Sequence, residues 1–423
     1  MKTVLFIYRG LQVGGIETFY CRLAENYDQS KYNFRFLFLC ERHHCDVELL
    51  ARLERSAKVD FYSGYVAYNF RSLAKKLPVP LKMLVKLSSA AMEKLALEVD
   101  LVHATEGLGI LLAQQIFKSS NKKARVNLGF YHQKEFSWGK GRALPYFERI
   151  NRAALSGLSS RSLAFFNEGV AETVCGETAR NIAETNVFPL GVDVVQSKNK
   201  NEFSEGKRIK IISIGRLTNF KTYNLWMIDV VADLVAKGYE VTYDVYGRGD
   251  IEAEVTEKVR ASGAPVFLKG TLKYSEFSRV VTNYDLFVGS GTAIIEASAL
   301  GVPAIIGIES IPDSKTYGYF SDISGFTYNE LGLDLPLLDV ANLIEGFASL
   351  STEQKQLLGR RHMLKAELFS MEHCVSNFSS LFEATDPLAL EVHNYSWLGY
   401  RLSYVMTSIL SKLVKTSYTE KYN

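Results

Sequence analysis

The segment YDLFVGSGTAIIEASALGVPAIIG, Tyr284 to Gly307, leaves a chain few ways to fold. An apolar run from Leu286 to Val288 enters a Gly-Ser-Gly-Thr turn and a helical pattern opens from that turn. Gly301 and Pro303 stop the helix just before a second apolar run, PAIIG. Strand, helix and strand in that order build a parallel sheet. The turn also has the makings of an anion site, because glycine lets a backbone approach a ligand and the first N–H groups of a helix have no partner within it. Glu296 stands one turn into the helix. A carboxylate there repels phosphate but suits a hydroxyl pair such as a ribose presents. The segment therefore predicts a bound nucleoside diphosphate, held at Ser290, Gly291 and Thr292 and read at its ribose by Glu296.

The same alternation runs along the rest of the 423 residues, a length that implies more than one core. TVLFIY, FRFLFLC, KVDFYS, VDLVHAT, RVNLGFY and SLAFF are strand candidates in the first half, and KIISIGR, VTYDVYG, VFLKG, DLFVGS and PAIIG in the second. After the first strand, Ile16, Phe19, Tyr20, Leu23 and Ala24 share one helical face. Met227, Val230, Val231 and Leu234 do the same in the second half. Between the halves, VFPLGVDVVQSKNKNEFSEGKR turns polar and loses its apolar periodicity. The expected fold class is α/β, with two Rossmann-like doubly wound parallel-sheet domains facing across a cleft. Residues 1–190 form the first domain, 191–207 a linker, 208–370 the second, and 371–423 closing helices and an amphipathic tail.

Charge and cysteine usage narrow the function. Lys and Arg number 49 against 46 Asp and Glu, so bulk nucleic-acid binding is excluded. The basic surplus lies in residues 1–190, with 26 basic and 18 acidic side chains, and most of it in residues 51–150, with 17 and 8. That bias suits an anionic acceptor or lipid surface. Five scattered cysteines form no disulfide framework and point to the cytoplasm. MKTVLFIYRG reads as a buried first strand, its apolar run being too short for a signal peptide. Cys40, His43, His44 and Cys45 lie too close together in sequence to surround one tetrahedral ion, so no metal site is expected.

Other motifs fall at expected strand ends. Gly14 and Gly15 follow the first strand and open a helix, where a backbone touches phosphate or sugar; a tight turn without ligand is the competing reading. The spacing is neither a dinucleotide fingerprint nor a Walker A loop. In SIGRLTNFK a strand ends at Gly215, and Arg216 and Lys221 follow at a spacing suited to neutralising a departing diphosphate, or to ordinary surface exposure. VYGRGD sets Gly247 and Gly249 at another strand end, either for close access by a base or sugar or as a plain turn.

Gly-Gly-Ile-Glu after the first strand, FPLGVD before the linker, IGRL with a following Lys, YGRGD, and the helix with E-A-x-A-x-G-x-P occur here in one order. In that order they resemble the GT-B nucleotide-sugar glycosyltransferases and are most similar to the large retaining family 4. The resemblance implies transfer of a hexose-type sugar from a UDP- or GDP-sugar, used as co-substrate, to an acceptor hydroxyl, with retention and without a cofactor or obligatory metal. It matches Arg216 and Lys221 to the diphosphate-binding pair, Glu296 to the ribose carboxylate and Gly15 to the donor-side loop of the first domain. It also suggests His132, just past a strand end, as the histidine over the reacting sugar, with His103 as competitor; local hydrogen bonding is the other reading of each. Glu135 and Glu106 are candidates for acceptor contact. The family carries a second glutamate eight residues before the ribose glutamate, where this chain has Val288. The role near the donor sugar must then pass to backbone N–H groups or to another side chain.

Two stretches bear on location. VPLKMLVKLSSAAMEKLALEVD, within the Lys75 to Lys94 region, reads as a basic amphipathic helix for an anionic leaflet or as a helix packed on its sheet. The tail from Asn394 reads as an anchor to membrane or partner, or as a helix crossing back onto the first domain. The expectation is a cytoplasmic, peripherally membrane-associated transferase with a polysaccharide or lipid-linked glycan acceptor. A nucleotide-sugar epimerase and a non-catalytic partner subunit are the alternatives.

Overall fold

The computed structural model describes residues 1–12, 14–118, 120, 122–123, 125–131, 136, 144–194, 203–387 and 395–414, the last four without their side chains. The chain divides into two compact units, Met1–Gly191 with Cys374–Asn423, and Val192–His373.

The first unit holds seven parallel strands: β1 (Lys2–Tyr8), β2 (Tyr32–Phe38), β3 (Lys58–Phe61), β4 (Leu101–Ala104), β5 (Val126–Phe130), β6 (Leu163–Phe165) and β7 (Asn186–Val187). Their order is β3-β2-β1-β4-β5-β6-β7. The main sheet of the second unit holds five, β8 (Arg208–Ile214), β9 (Glu240–Tyr246), β10 (Val266–Gly270), β11 (Leu286–Gly289) and β12 (Ala304–Ile306), in the order β10-β9-β8-β11-β12. All pairings within both sheets are parallel. The doubly wound α/β architecture expected from the sequence is therefore present in each unit. In these two sheets only β7, two residues at an edge, falls on no strand candidate; a short antiparallel pair in the second unit, β13 (Lys315–Thr316) and β14 (Leu338–Asp339), falls on none either.

Strand periodicity explains the layers of the second unit. Leu286 and Val288 enter one apolar layer with Ile209, Ile211 and the helix Tyr223–Ala236, while Phe287 and Ile212 enter the opposite one. Alternate side chains of a strand point to opposite faces, so a strand covered on both sides reads as continuously apolar. The chain runs outward from β8 to β10 and then returns to place β11 on the other flank of β8, with Leu286 opposite Ile211. The carboxyl ends of β8 and β11 thus form the switch point at which open sheets of this type bind ligands.

The closing helices and tail of residues 371–423 form no unit of their own. From Cys374 onward they belong to the first unit. The helix Met371–Ala384 sends Phe378 and Phe382 into an aromatic cluster with Phe6, Phe19, Phe34 and Phe188. The helix Trp397–Val414 lies on the helix Tyr146–Ser156, where the Tyr400 hydroxyl donates to Asn151 at 2.9 Å and Arg401 donates to the Met83 carbonyl at 3.1 Å. Its outer side exposes Leu398, Leu402, Met406, Ile409 and Leu410. Among the described residues no helix is long and apolar enough to cross a membrane.

The basic helix expected within Lys75 to Lys94 is also corrected. The stretch forms two helices, Val79–Lys82 and Ser89–Glu98, broken where Ser88 caps the second by accepting from the Ala91 N–H. Lys82 is buried and paired with Glu41, which also accepts from Ser63 Oγ at 2.8 Å. Removing one member of a buried pair strands the other charge, so Lys82→Met is expected to cost about 3–5 kcal/mol. Adding Glu41→Leu should recover much of that loss, and calorimetric unfolding of the single and double variants measures both effects.

Candidate active site

The ends of β8 and β9 are built from backbone in close contact. The Gly215 N–H donates to the Tyr246 carbonyl at 2.9 Å and the Leu217 N–H to the Arg248 carbonyl at 3.0 Å. A Cβ at Gly247 would lie 1.9 Å from the Gly215 carbonyl oxygen, and one at Gly249 would lie 2.1 Å from that of Leu217. Neither position has room for a side chain. Both glycines thus have a packing reason that the sequence did not disclose, beside the ligand access it suggested. Past this contact the chain turns, with the Lys221 N–H donating to the Thr218 carbonyl at 2.9 Å, and Lys221 Nζ comes back to 3.1 Å from where a Cβ on Gly215 would stand. Arg216 is exposed beside it. Among the described residues neither side chain makes an ion pair, although Lys221 is half-buried and its charge acts on Glu309.

β11 ends next to β8, and its loop is held equally tightly. The Gly307 N–H donates to the Gly289 carbonyl at 2.8 Å, which ties β12 to β11. Ser290 is buried and donates to Glu309 Oε1 at 3.0 Å. Gly291 turns the chain with a φ of 66°, a value that favours glycine, and its carbonyl accepts from the Tyr328 hydroxyl at 3.0 Å. The helix Thr292–Ala299 then begins without a side-chain cap, which leaves its first N–H groups for a ligand. Glu296 is buried on this helix, and the Tyr274 hydroxyl reaches its Oε1 at 3.4 Å. Gly215, Lys221 and Gly247 therefore gather at the ends of β8 and β9, and Ser290, Gly291, Thr292 and Glu296 on the turn and helix after β11.

Sequence reasoning passed over Glu309. Burial pushes its carboxyl upward, against the hydrogen bond from Ser290, the charge of Lys221 and a hydrogen bond from Asn329. The available signal was its position directly behind the strand PAIIG, since strand ends in an open parallel sheet are where ligands bind.

The first unit carries its own cluster at the carboxyl ends of β1 and β4. Gly14 caps the helix Gly15–Asn26, and the Glu17 carboxylate folds back so closely that a Cβ on Gly14 would lie 2.4 Å from its Oε2. The Tyr8 hydroxyl donates to Glu17 at 3.2 Å, and burial raises the Glu17 carboxyl. With that charge over the helix start, Gly14 and Gly15 suit hydroxyls better than phosphate. Glu106 is gripped by Arg9, Nε to Oε1 at 3.0 Å and Nη2 to Oε2 at 2.6 Å. His103 is fully buried between Asn127 Oδ1 at 2.6 Å and the Tyr131 hydroxyl at 2.8 Å, so local hydrogen bonding accounts for it. His132 and Glu135 lie outside the described residues. Cys40 and Cys45 approach to 3.5 Å between sulfurs, whereas His43 and His44 are exposed on the intervening turn.

Set beside solved structures, the chain has the fold of GT-B glycosyltransferases. It resembles HepE of Anabaena, solved with UDP and glucose, at 14% identity and a TM-score of 0.59 over 90% of this chain and 100% of that one. WaaB, a lipopolysaccharide outer core galactosyltransferase, aligns at 15% identity and a TM-score of 0.60 over 90% of this chain and 99% of its own. By sequence, the GtfA subunit of the UDP-N-acetylglucosamine–peptide N-acetylglucosaminyltransferase of Streptococcus agalactiae is 24% identical over 140 residues, which is 32% of this chain and 27% of that protein. The corresponding subunit of Streptococcus gordonii is 26% identical over 131 residues, 28% of this chain and 25% of that one. The matching region thus spans about a quarter of these relatives. No family model matches the chain.

Two outcomes are expected. Burial lowers the His103 pKa from 6.5 to about 4, so below pH 6.5 the unfolded state binds a proton that the folded state refuses. Stability from this group is present above 6.5 and falls by up to about 1.4 kcal/mol per pH unit as the pH drops toward 4. A His103→Gln variant should show a shallower acid dependence of unfolding free energy than the parent. Gly247→Ala should destabilise the second unit by about 1–3 kcal/mol, read by calorimetry, because its methyl group meets backbone.

Proposed function

We propose that this chain is a glycosyltransferase that moves a sugar from a UDP- or GDP-sugar to an acceptor hydroxyl, with the donor on the second unit. The observation that carries the reading is the switch point itself. Two cations, Arg216 and Lys221, an uncapped helix start at Thr292 and a buried carboxylate one turn further on occupy adjacent strand ends. Cations and N–H groups match a diphosphate, and Glu296 matches the ribose hydroxyls. The UDP and glucose bound to the similarly folded HepE favour a uridine donor.

Transfer proceeds by attack of the acceptor oxygen on the anomeric carbon from the face that the diphosphate leaves, which retains configuration. The bond to the diphosphate oxygen breaks with its electron pair, and the acceptor proton passes to that departing oxygen. Arg216, Lys221 and the helix N–H groups stabilise the charge that gathers there, so the step asks for no metal. His132 keeps the role of the histidine over the reacting sugar, and Gly14 and Gly15 that of the donor-side loop of the first domain. The acceptor is a polysaccharide or lipid-linked glycan, in keeping with the basic bias of residues 51–150 and the exposed apolar stripe of the helix Trp397–Val414, which suits the surface of a membrane.

Thermal-shift measurements with UDP, GDP and their sugars test the reading. One nucleotide should stabilise the parent protein, and Glu296→Ala should lose most of that shift while remaining folded. A parent protein indifferent to every nucleotide would overturn it. Incubation with donor alone, followed by sugar analysis, identifies an epimerase by a changed sugar.

A further inference from the structure

Glu309 has no part in the reading above, yet three strand ends converge on it. It lies three residues past β12 and is tied to the turn after β11 by the hydrogen bond from Ser290 Oγ at 3.0 Å. Lys221, held over the end of β8, is near enough to act on its charge. Its backbone N–H donates to the Asn329 carbonyl at 2.9 Å, which fixes the loop from the other side. The side chain is mostly buried but keeps some contact with solvent.

A carboxylate set there costs desolvation, and its only chemistry toward a ligand is to accept hydrogen bonds or attract a cation. It repels a diphosphate. What it can take is a hydroxyl-bearing group that reaches the strand ends beyond the phosphates. The nucleoside's own sugar is already matched by Glu296, which stands on the helix after Gly291. The remaining polyhydroxylated part of a nucleotide-sugar is the sugar to be transferred. Val288, inside β11, offers no polar atom for it.

Resting on the donor site proposed above, we infer that Glu309 binds the hydroxyls of the transferred sugar, with Ser290 holding the carboxylate and Lys221 dividing sugar from diphosphate. The second unit then carries two carboxylates of separate duty, Glu296 for the nucleoside and Glu309 for the hexose.

The test compares parent, Glu309→Gln and Ser290→Ala proteins in binding UDP and GDP and in turnover of UDP-glucose and GDP-mannose, then of the matching deoxy-sugar donors. In Glu309→Gln, affinity for the bare nucleotide should stay within about twofold, while kcat/KM for the accepted sugar nucleotide falls about 100-fold or more. Ser290→Ala should fall less. One deoxy donor should reduce the parent to the level of Glu309→Gln and leave that variant unchanged, a coupling that a merely structural role would not produce. If Glu309→Gln weakens bare nucleotide as much as sugar nucleotide, the residue serves only as the counterion of Lys221 and the inference fails. It fails also if turnover is kept. A parent protein that binds no nucleotide removes the donor site itself, and this inference with it.

Discussion

Contact between the loops that leave β8 and β9 is so close that the Gly215 carbonyl oxygen occupies the place where residue 247 would carry a Cβ, 1.9 Å away. Backbone packed on backbone cannot slide to accommodate a ligand, because the hydrogen bonds of Gly215 and Leu217 lock the two loops together. The chain after β8 therefore leaves the sheet in one direction only. That direction returns Lys221 over Gly215, beside the turn that follows β11. A rigid scaffold under a polar site lets charge be placed without reorganisation when a ligand arrives.

Charge is handled differently in the two units. In the first, Arg35 pairs with Asp60 and Glu98, Arg9 with Glu106 and Lys82 with Glu41. Those cations are committed to structure, and the buried ones could not stand alone. At the switch point of the second unit Arg216 and Lys221 lack such partners among the described residues. Exposed Arg216 tolerates that state because water solvates it, whereas half-buried Lys221 has the Glu309 charge near it. Nearby carboxylates accept hydrogen bonds from hydroxyls, Glu296 from Tyr274 and Glu309 from Ser290, which orient the oxygens.

Much of this was legible in the chain. Buried parallel strands are continuous apolar runs, and the doubly covered β8 and β11 were visible as KIISIGR and DLFVGS. Less visible were elements whose stability comes from elsewhere. β7 is two residues at an edge, and the pairing of Lys82 with Glu41 spans positions far apart in sequence. A lysine within an amphipathic pattern reads as solvated until its partner is known. Site residues divide the same way. Gly215, Lys221 and Glu296 sit on motifs, whereas Glu309 has only its place behind PAIIG and is tied to the site through Ser290. His103 shows the converse, a chemically suggestive residue explained by Asn127 and Tyr131.

By itself the sequence determined the two doubly wound sheets, where their main strands fall along the chain and the strand ends where polar groups collect. Apolar periodicity and glycine placement are local properties that any reader of the chain can see. Tertiary structure alone decided which of those ends are neighbours, that residues from Cys374 onward rejoin the first unit, and that Glu309 meets Ser290 and Lys221. Parallel strands are joined by long crossovers, so side chains that share one site come from positions widely separated along the backbone, and only packing brings them together.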